Sequence, residues 1–139
     1  MRVLSDSLKF TTNGFNDMVD LTKDVTHKLT ENGLKNGTVT LFVPGSTGGL
    51  TTIEYESGLI KDFSGLMEKI VPRSARYFHD ERWGDGNGFS HVRASLLGPS
   101  LTVPFSQGEL NLGTWQQIVF VDFDNRSRSR NIILQFIGE

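Results

Sequence analysis

Between Thr114 and Asp124 the chain runs TWQQIVFVDFD, and this run narrows the choice of fold more than any other. Alternate side chains of an extended strand leave by opposite faces. Trp115, Gln117, Val119, Val121 and Phe123 share one face; Gln116, Ile118, Phe120, Asp122 and Asp124 share the other. Both faces are apolar in the middle, so such a strand needs cover on both sides. It is expected at the centre of a layered molecule.

The flanking segments can supply those layers. Residues 3–12 alternate loosely and read as a strand with Leu4, Leu8 and Phe10 facing in. Asn13-Gly14 carries a hairpin signal, with residues 15–20 as the return strand. Leu21, Val25 and Leu29 mark one stripe of a helix over 21–32, with Thr22 as N-cap and Gly33 as its stop. A β-branched strand spans 38–43, the turn Pro44-Gly45-Ser46-Thr47-Gly48-Gly49 breaks it, and a strand resumes over 50–55. Ser57 is positioned to cap a second helix running to Ile70, with Leu59, Phe63, Leu66 and Ile70 on one face and Pro72 beyond its end. The remainder reads as strand over 92–97, 101–105, 109–112, 114–124 and 131–137, with a polar turn at 125–130. About eight or nine strands against two helices predict an α+β fold, a mostly antiparallel sheet with both helices packed on it. No repeat or linker divides residues 1–139, so one domain is expected.

Composition excludes several functions. The net charge of −2 gives no general attraction to nucleic acid or to an anionic membrane. The chain has no cysteine, which removes disulfides, thiolate metal sites and cysteine nucleophiles. MRVLSDSLKF lacks the apolar run of a signal peptide, and no segment approaches the ~18 apolar residues of a membrane span. A cytoplasmic protein is the expectation.

Chemistry concentrates between His79 and Pro104. His79 and His91 flank a segment containing Asp80, Glu81 and Asp85, with glycines alternating at 84, 86 and 88. Glycine lets the backbone turn sharply or approach a ligand closely, and the histidines and carboxylates could gather around a divalent ion or a substrate. Read as a strand, residues 91 and 93 put His91 and Arg93 on one face, a pairing suited to an anionic substrate such as a phosphate. Ser46 and Thr47 offer hydroxyls to the same kind of group, and Glu54 is a strand-end carboxylate. His27 reads as a solvated helix residue, and Arg126, Arg128 and Arg130 as solvated charges of a hairpin turn. No dinucleotide fingerprint, phosphate loop, nucleophile elbow or complete calcium loop occurs.

Three runs carry a family resemblance: FVPGSTGGLTTIEYE from Phe42, HDERWGDGNGFSHVRASLLGPSLTVP from His79, and LGTWQQIVFVDFDNRSRSR from Leu112. They resemble the YjbQ-like family, described as secondary thiamine-phosphate synthases, and the resemblance extends over essentially the whole chain. It implies a homotrimer and a transferase joining hydroxymethylpyrimidine diphosphate to a thiazole phosphate with release of pyrophosphate. It further implies His79, His91 and Glu54 as the catalytic core, with Arg93, Ser46, Thr47, Asn87 and Gly88 against the substrate. Asp80 and Asp85 would hold a divalent ion, magnesium or zinc. Two positions depart from the pattern: Phe89 stands where the family carries a histidine, and Gly45-Ser46-Thr47 where other branches carry His-Thr-Thr. Two other expectations stand beside the synthase: a metal-dependent hydrolase of a small phosphorylated or acyl substrate, and a metabolite-binding trimer without turnover. The expected partner in each case is a small anionic metabolite.

Overall fold

The computed structural model describes residues 1–139. Eight strands and four helices follow in chain order: β1 Arg2–Thr12, β2 Asp17–Asp20, α1 Thr22–Asn32, β3 Gly37–Phe42, β4 Gly48–Ile53, α2 Ser57–Ile70, α3 Phe78–Trp83, α4 Gly88–Leu97, β5 Ser100–Ser106, β6 Glu109–Leu110, β7 Gln117–Asp122 and β8 Arg128–Gly138. They form two antiparallel sheets, β1-β8-β3-β5-β6 and β2-β7-β4. The α+β class expected from the sequence is the class observed.

The strand at the centre is β7. Ile118 and Phe120 enter a core of 16 buried residues between the sheets, to which α1 adds Leu21, Val25 and Leu29. Val119, Val121 and Phe123 enter a second core, with Met67 of α2 and Ala94 of α4. Sheet, sheet and helices thus form three layers, and β7 is buried on both faces as its sequence requires. Burying one aliphatic or aromatic side chain is worth roughly 1.5–3 kcal/mol, so a polar substitution in the middle of β7 costs on that order in whichever core its side chain enters.

Several expectations are corrected. Residues 92–97 are helix, not strand, and form the second half of α4; α3 is a further helix that the sequence reading leaves as loop. Asn13-Gly14 opens no hairpin, because β1 pairs with β8 while β2 pairs with β7 in the other sheet. Gly14, Phe15 and Asn16 all have positive φ, at 75°, 54° and 66°, and this coil carries the chain from one sheet to the other. A side chain at Gly14 would meet the Asp124 carbonyl at 2.6 Å, and Phe15 accepts a left-handed backbone that costs about 1–2 kcal/mol. The helix caps also differ. Asp20 receives the Thr22 N–H while the Thr22 hydroxyl accepts from Ile118, and the Glu56 carboxylate, not Ser57, accepts from Gly58 and Leu59. On α2 the buried side is Ile60, Phe63 and Met67, leaving Leu66 and Ile70 half exposed.

Candidate functional site

Helix α4 acts as a partition. Residues four apart stack on one face of a helix, whereas residues two apart lie on roughly opposite faces. Asn87, the N-cap, and His91 line a cavity of about 520 Å³, together with Ser46, Thr47, His79, Asp85, Arg128 and Arg130. Phe89 and Arg93 line a different cavity. His91 and Arg93 therefore do not share a face, because the segment is helical.

The basic wall of the His91 cavity is built by the end of β7, the start of β8 and the connection that carries the chain between the two sheets. Asp122 and Asp124 are fully buried. Asp122 accepts from Arg130 through both oxygens, at 2.7 and 2.8 Å from Nε and Nη2, and from the Thr12 hydroxyl. Asp124 accepts from Arg128 Nε at 2.8 Å and from the Thr47 hydroxyl at 3.0 Å. Burial alone would raise the Asp124 pKa, but the donors from Asn125, Arg128, Thr47 and Asn87 outweigh it and hold the carboxyl below its ordinary value. The two aspartates fix both guanidinium groups, yet neither Arg128 Nη1 and Nη2 nor Arg130 Nη1 has a protein partner. Fixed, partly unpaired guanidinium forks bind oxyanions. Arg128 and Arg130 are strand residues of β8 rather than solvated turn charges. The spacing D-x-D followed by R-x-R across a short connection carries this signal, since alternate residues of an extended segment share a face.

The opposite wall is acidic and imidazole-rich. The His79 and His91 rings lie with centroids 4.3 Å apart. His79 Nδ1 is 3.4 Å from both Asp80 and Asp85, and one ligand atom from each of these three residues falls within 4.8 Å of the others. Burial, followed by the charge of His79, lowers the His91 pKa. The Asn87 amide lies between two carboxylates, 3.3 Å from Asp124 on one side and 3.1 Å from both Asp85 oxygens on the other. Turned with its nitrogen towards Asp85, the amide donates to that carboxylate. Four aspartates, 80, 85, 122 and 124, face two arginines here. The donor chemistry suits a divalent cation on the acidic side.

The family-model comparison covers this whole arrangement: residues 6–139 match the model described as UPF0047 protein YjbQ-like. The chain belongs to the YjbQ-like UPF0047 family. It is similar to a UPF0047 protein of Methanothermobacter thermautotrophicus, 37% identical over 139 residues, covering 100% of this chain and 95% of that one. It is also similar to the UPF0047 protein YugU of Bacillus subtilis, 31% identical over 134 residues, covering 95% and 98%. The crystal structure of a YbjQ-like protein of unknown function from Sulfolobus solfataricus superposes with TM-score 0.93 at 30% identity, covering 99% of both chains.

Within this YjbQ-like chain the expected site residues are distributed unevenly. His79, His91, Asp85, Asn87, Ser46 and Thr47 do meet at one cavity. The Thr47 hydroxyl is already engaged, donating to Asp124 and accepting from Arg130 at 2.9 Å, so it positions the arginine. The Gly88 N–H donates to Asp80 at 2.7 Å and is likewise spent. Glu54 does not join them: Gly48 pairs with Asp122 beside the site, while Glu54 follows the Ile53–Gln117 pair at the other end of β4. At ~3.3 Å per residue that is about 20 Å away. Phe89 is buried on the Arg93 side of α4, away from the His79–His91 pair.

Proposed function

We propose that the protein is a cytoplasmic enzyme acting on a small phosphorylated metabolite, with the joining of hydroxymethylpyrimidine diphosphate and thiazole phosphate as its reaction. One observation carries the reading: the paired imidazoles of His79 and His91 and the held guanidinium groups of Arg128 and Arg130 line one cavity. In that reaction the thiazole ring nitrogen supplies the electron pair of the new C–N bond. The C–O bond to the diphosphate breaks, and its pair leaves with pyrophosphate. Arg128 and Arg130 would receive the charge that develops on the leaving oxygens, and His91 or His79 would exchange the proton that accompanies departure. His79, Asp80, Asp85 and Asn87 would hold a magnesium or zinc ion, which when bound supplies further charge neutralisation at the diphosphate.

The homotrimer belongs to the same reading. Val3 beside Ile137 and Phe42 beside Ile133 leave apolar side chains on the outer face of the five-stranded sheet, and another copy would cover them.

Turnover tests the proposal. Purified protein with Mg²⁺ and both precursors is expected to form thiamine phosphate and pyrophosphate in equal amounts, and Arg128→Ala and His91→Ala are expected to reduce the rate at least about 100-fold. Release of phosphate or pyrophosphate from one precursor alone would identify a hydrolase at the same residues and overturn the joining reaction.

A further inference from the structure

On the other face of α4 lies a larger cavity, about 790 Å³, apart from the imidazole site. Its floor is Arg93, a guanidinium with no exposed surface. Arg93 Nε and Nη2 donate to the Val71 carbonyl at 3.0 and 2.7 Å, Nη2 also to Glu68 at 2.8 Å, and Nη1 to Asn16 at 3.1 Å. Of the five N–H groups of an arginine, one on Nη1 remains.

Arg73 stands at the rim. Its guanidinium carbon lies 4.2 Å from the Phe15 ring centroid and 5.7 Å from that of Phe89, and no carboxylate or other acceptor pairs with its side chain. The nearest acid, Glu68, is occupied by Arg93 and by the backbone N–H of Arg73 itself. Two arginines against one glutamate leave a positive site. The left-handed coil at Phe15 and Asn16 holds it open, since it places one residue under Arg73 and the other against Arg93. Ser74 adds a hydroxyl, and Asn125, whose side-chain amide donates to the Asp85 backbone carbonyl at 2.9 Å, keeps a second N–H. Donors that converge from several directions suit a tetrahedral oxyanion better than a planar carboxylate.

We propose that this cavity is a second anion site, which seats the phosphate of a small phosphomonoester against Arg73 and Ser74, above the buried charge of Arg93. The site stands on its own geometry. Only the identity of its natural ligand rests on the joining reaction, whose second reactant carries such a phosphate and would meet the first across α4. The Asp85-Gly86-Asn87 segment lines both cavities and is their common wall.

The test is an NMR titration of the full-length, metal-free ¹⁵N-labelled chain with inorganic phosphate. The Ser74 and Gly86 amides are expected to shift along saturable curves. Arg73→Ala should weaken the Kd read at those amides about tenfold, the loss expected for charge-assisted hydrogen bonds, and Arg73→Lys should recover part of it. Arg128→Ala should leave these curves unchanged. Shifts absent at saturating phosphate, or unaltered by Arg73→Ala in a chain whose spectrum is otherwise that of the wild type, would overturn the site. Failure of the joining reaction would leave the titration curves as expected, so the two ideas fail separately.

Discussion

Asp122 shows how a single residue links fold to site. It is fully buried, it grips Arg130 through both oxygens, and it also takes the backbone N–H of Asp124 at 2.9 Å. Removing one partner of such a pair leaves a charge in a poorly solvated place. Asp122→Ala should therefore lower the stability by about 3–5 kcal/mol in urea denaturation. Arg128→Ala takes the cation from the buried Asp124 but leaves it the Thr47 and Asn125 donors, so it should cost less stability than Asp122→Ala while still impairing ligand binding. His91 gives a second prediction. Burial and the neighbouring His79 both oppose its protonation, so its imidazole should titrate below the ordinary value of about 6.5 in metal-free protein. His79→Ala removes that neighbour and opens the ring to water, and should raise the midpoint. Imidazole ¹H–¹³C spectra across pH would show it, and an unchanged midpoint would count against the close approach of the two rings.

Among the elements, α4 separates what was legible in the sequence from what was not. The stripe Leu21, Val25, Leu29 announces α1 because all three enter one core. On α4 the inward positions are Phe89, Ser90, Arg93 and Ala94, so two of the four are polar. Ser90 is buried by donating to the Phe123 carbonyl, and Arg93 by satisfying Val71, Asn16 and Glu68. Meanwhile Val92 and Leu96 point outward, 41% and 61% exposed, and hydrophobic periodicity follows them into a false strand. The candidate site was legible in its imidazoles and loop residues, which lie close in sequence. Arg128 and Arg130 were missed because their burial depends on aspartates that interrupt an apolar strand face. Gly88 ties α4 to α3: a side chain there would meet Tyr77 Cβ at 2.6 Å and Asp80 at 3.0 Å. Gly88→Ala should force the two helices apart, cost about 1–3 kcal/mol, and remove the ring-current shifts that His79 and His91 impose on each other.

At the scale of the whole molecule, acid should act in one direction. Asp124 and His91 both bind protons less readily in the folded chain than their ordinary values imply. Each therefore contributes stability above its unfolded pKa, about 3.9 and about 6.5, and loses it as pH falls through the lower folded value. Denaturation midpoints should decline first below about pH 6.5 and again below about pH 3.9, and His91→Asn should flatten the first decline only. Mass measurement in solution should give a trimer, and Ile133→Asp, on the outer sheet face, should shift it towards monomer. The central claim is that His79, His91, Arg128 and Arg130 form one anion-binding cavity. Calorimetric titration with pyrophosphate, with and without Mg²⁺, measures it most directly. The expected result is one site per chain, tighter with Mg²⁺ and weakened at least about tenfold in Arg128→Ala. Pyrophosphate binding that neither Mg²⁺ nor Arg128→Ala alters, or no binding at all, would contradict it.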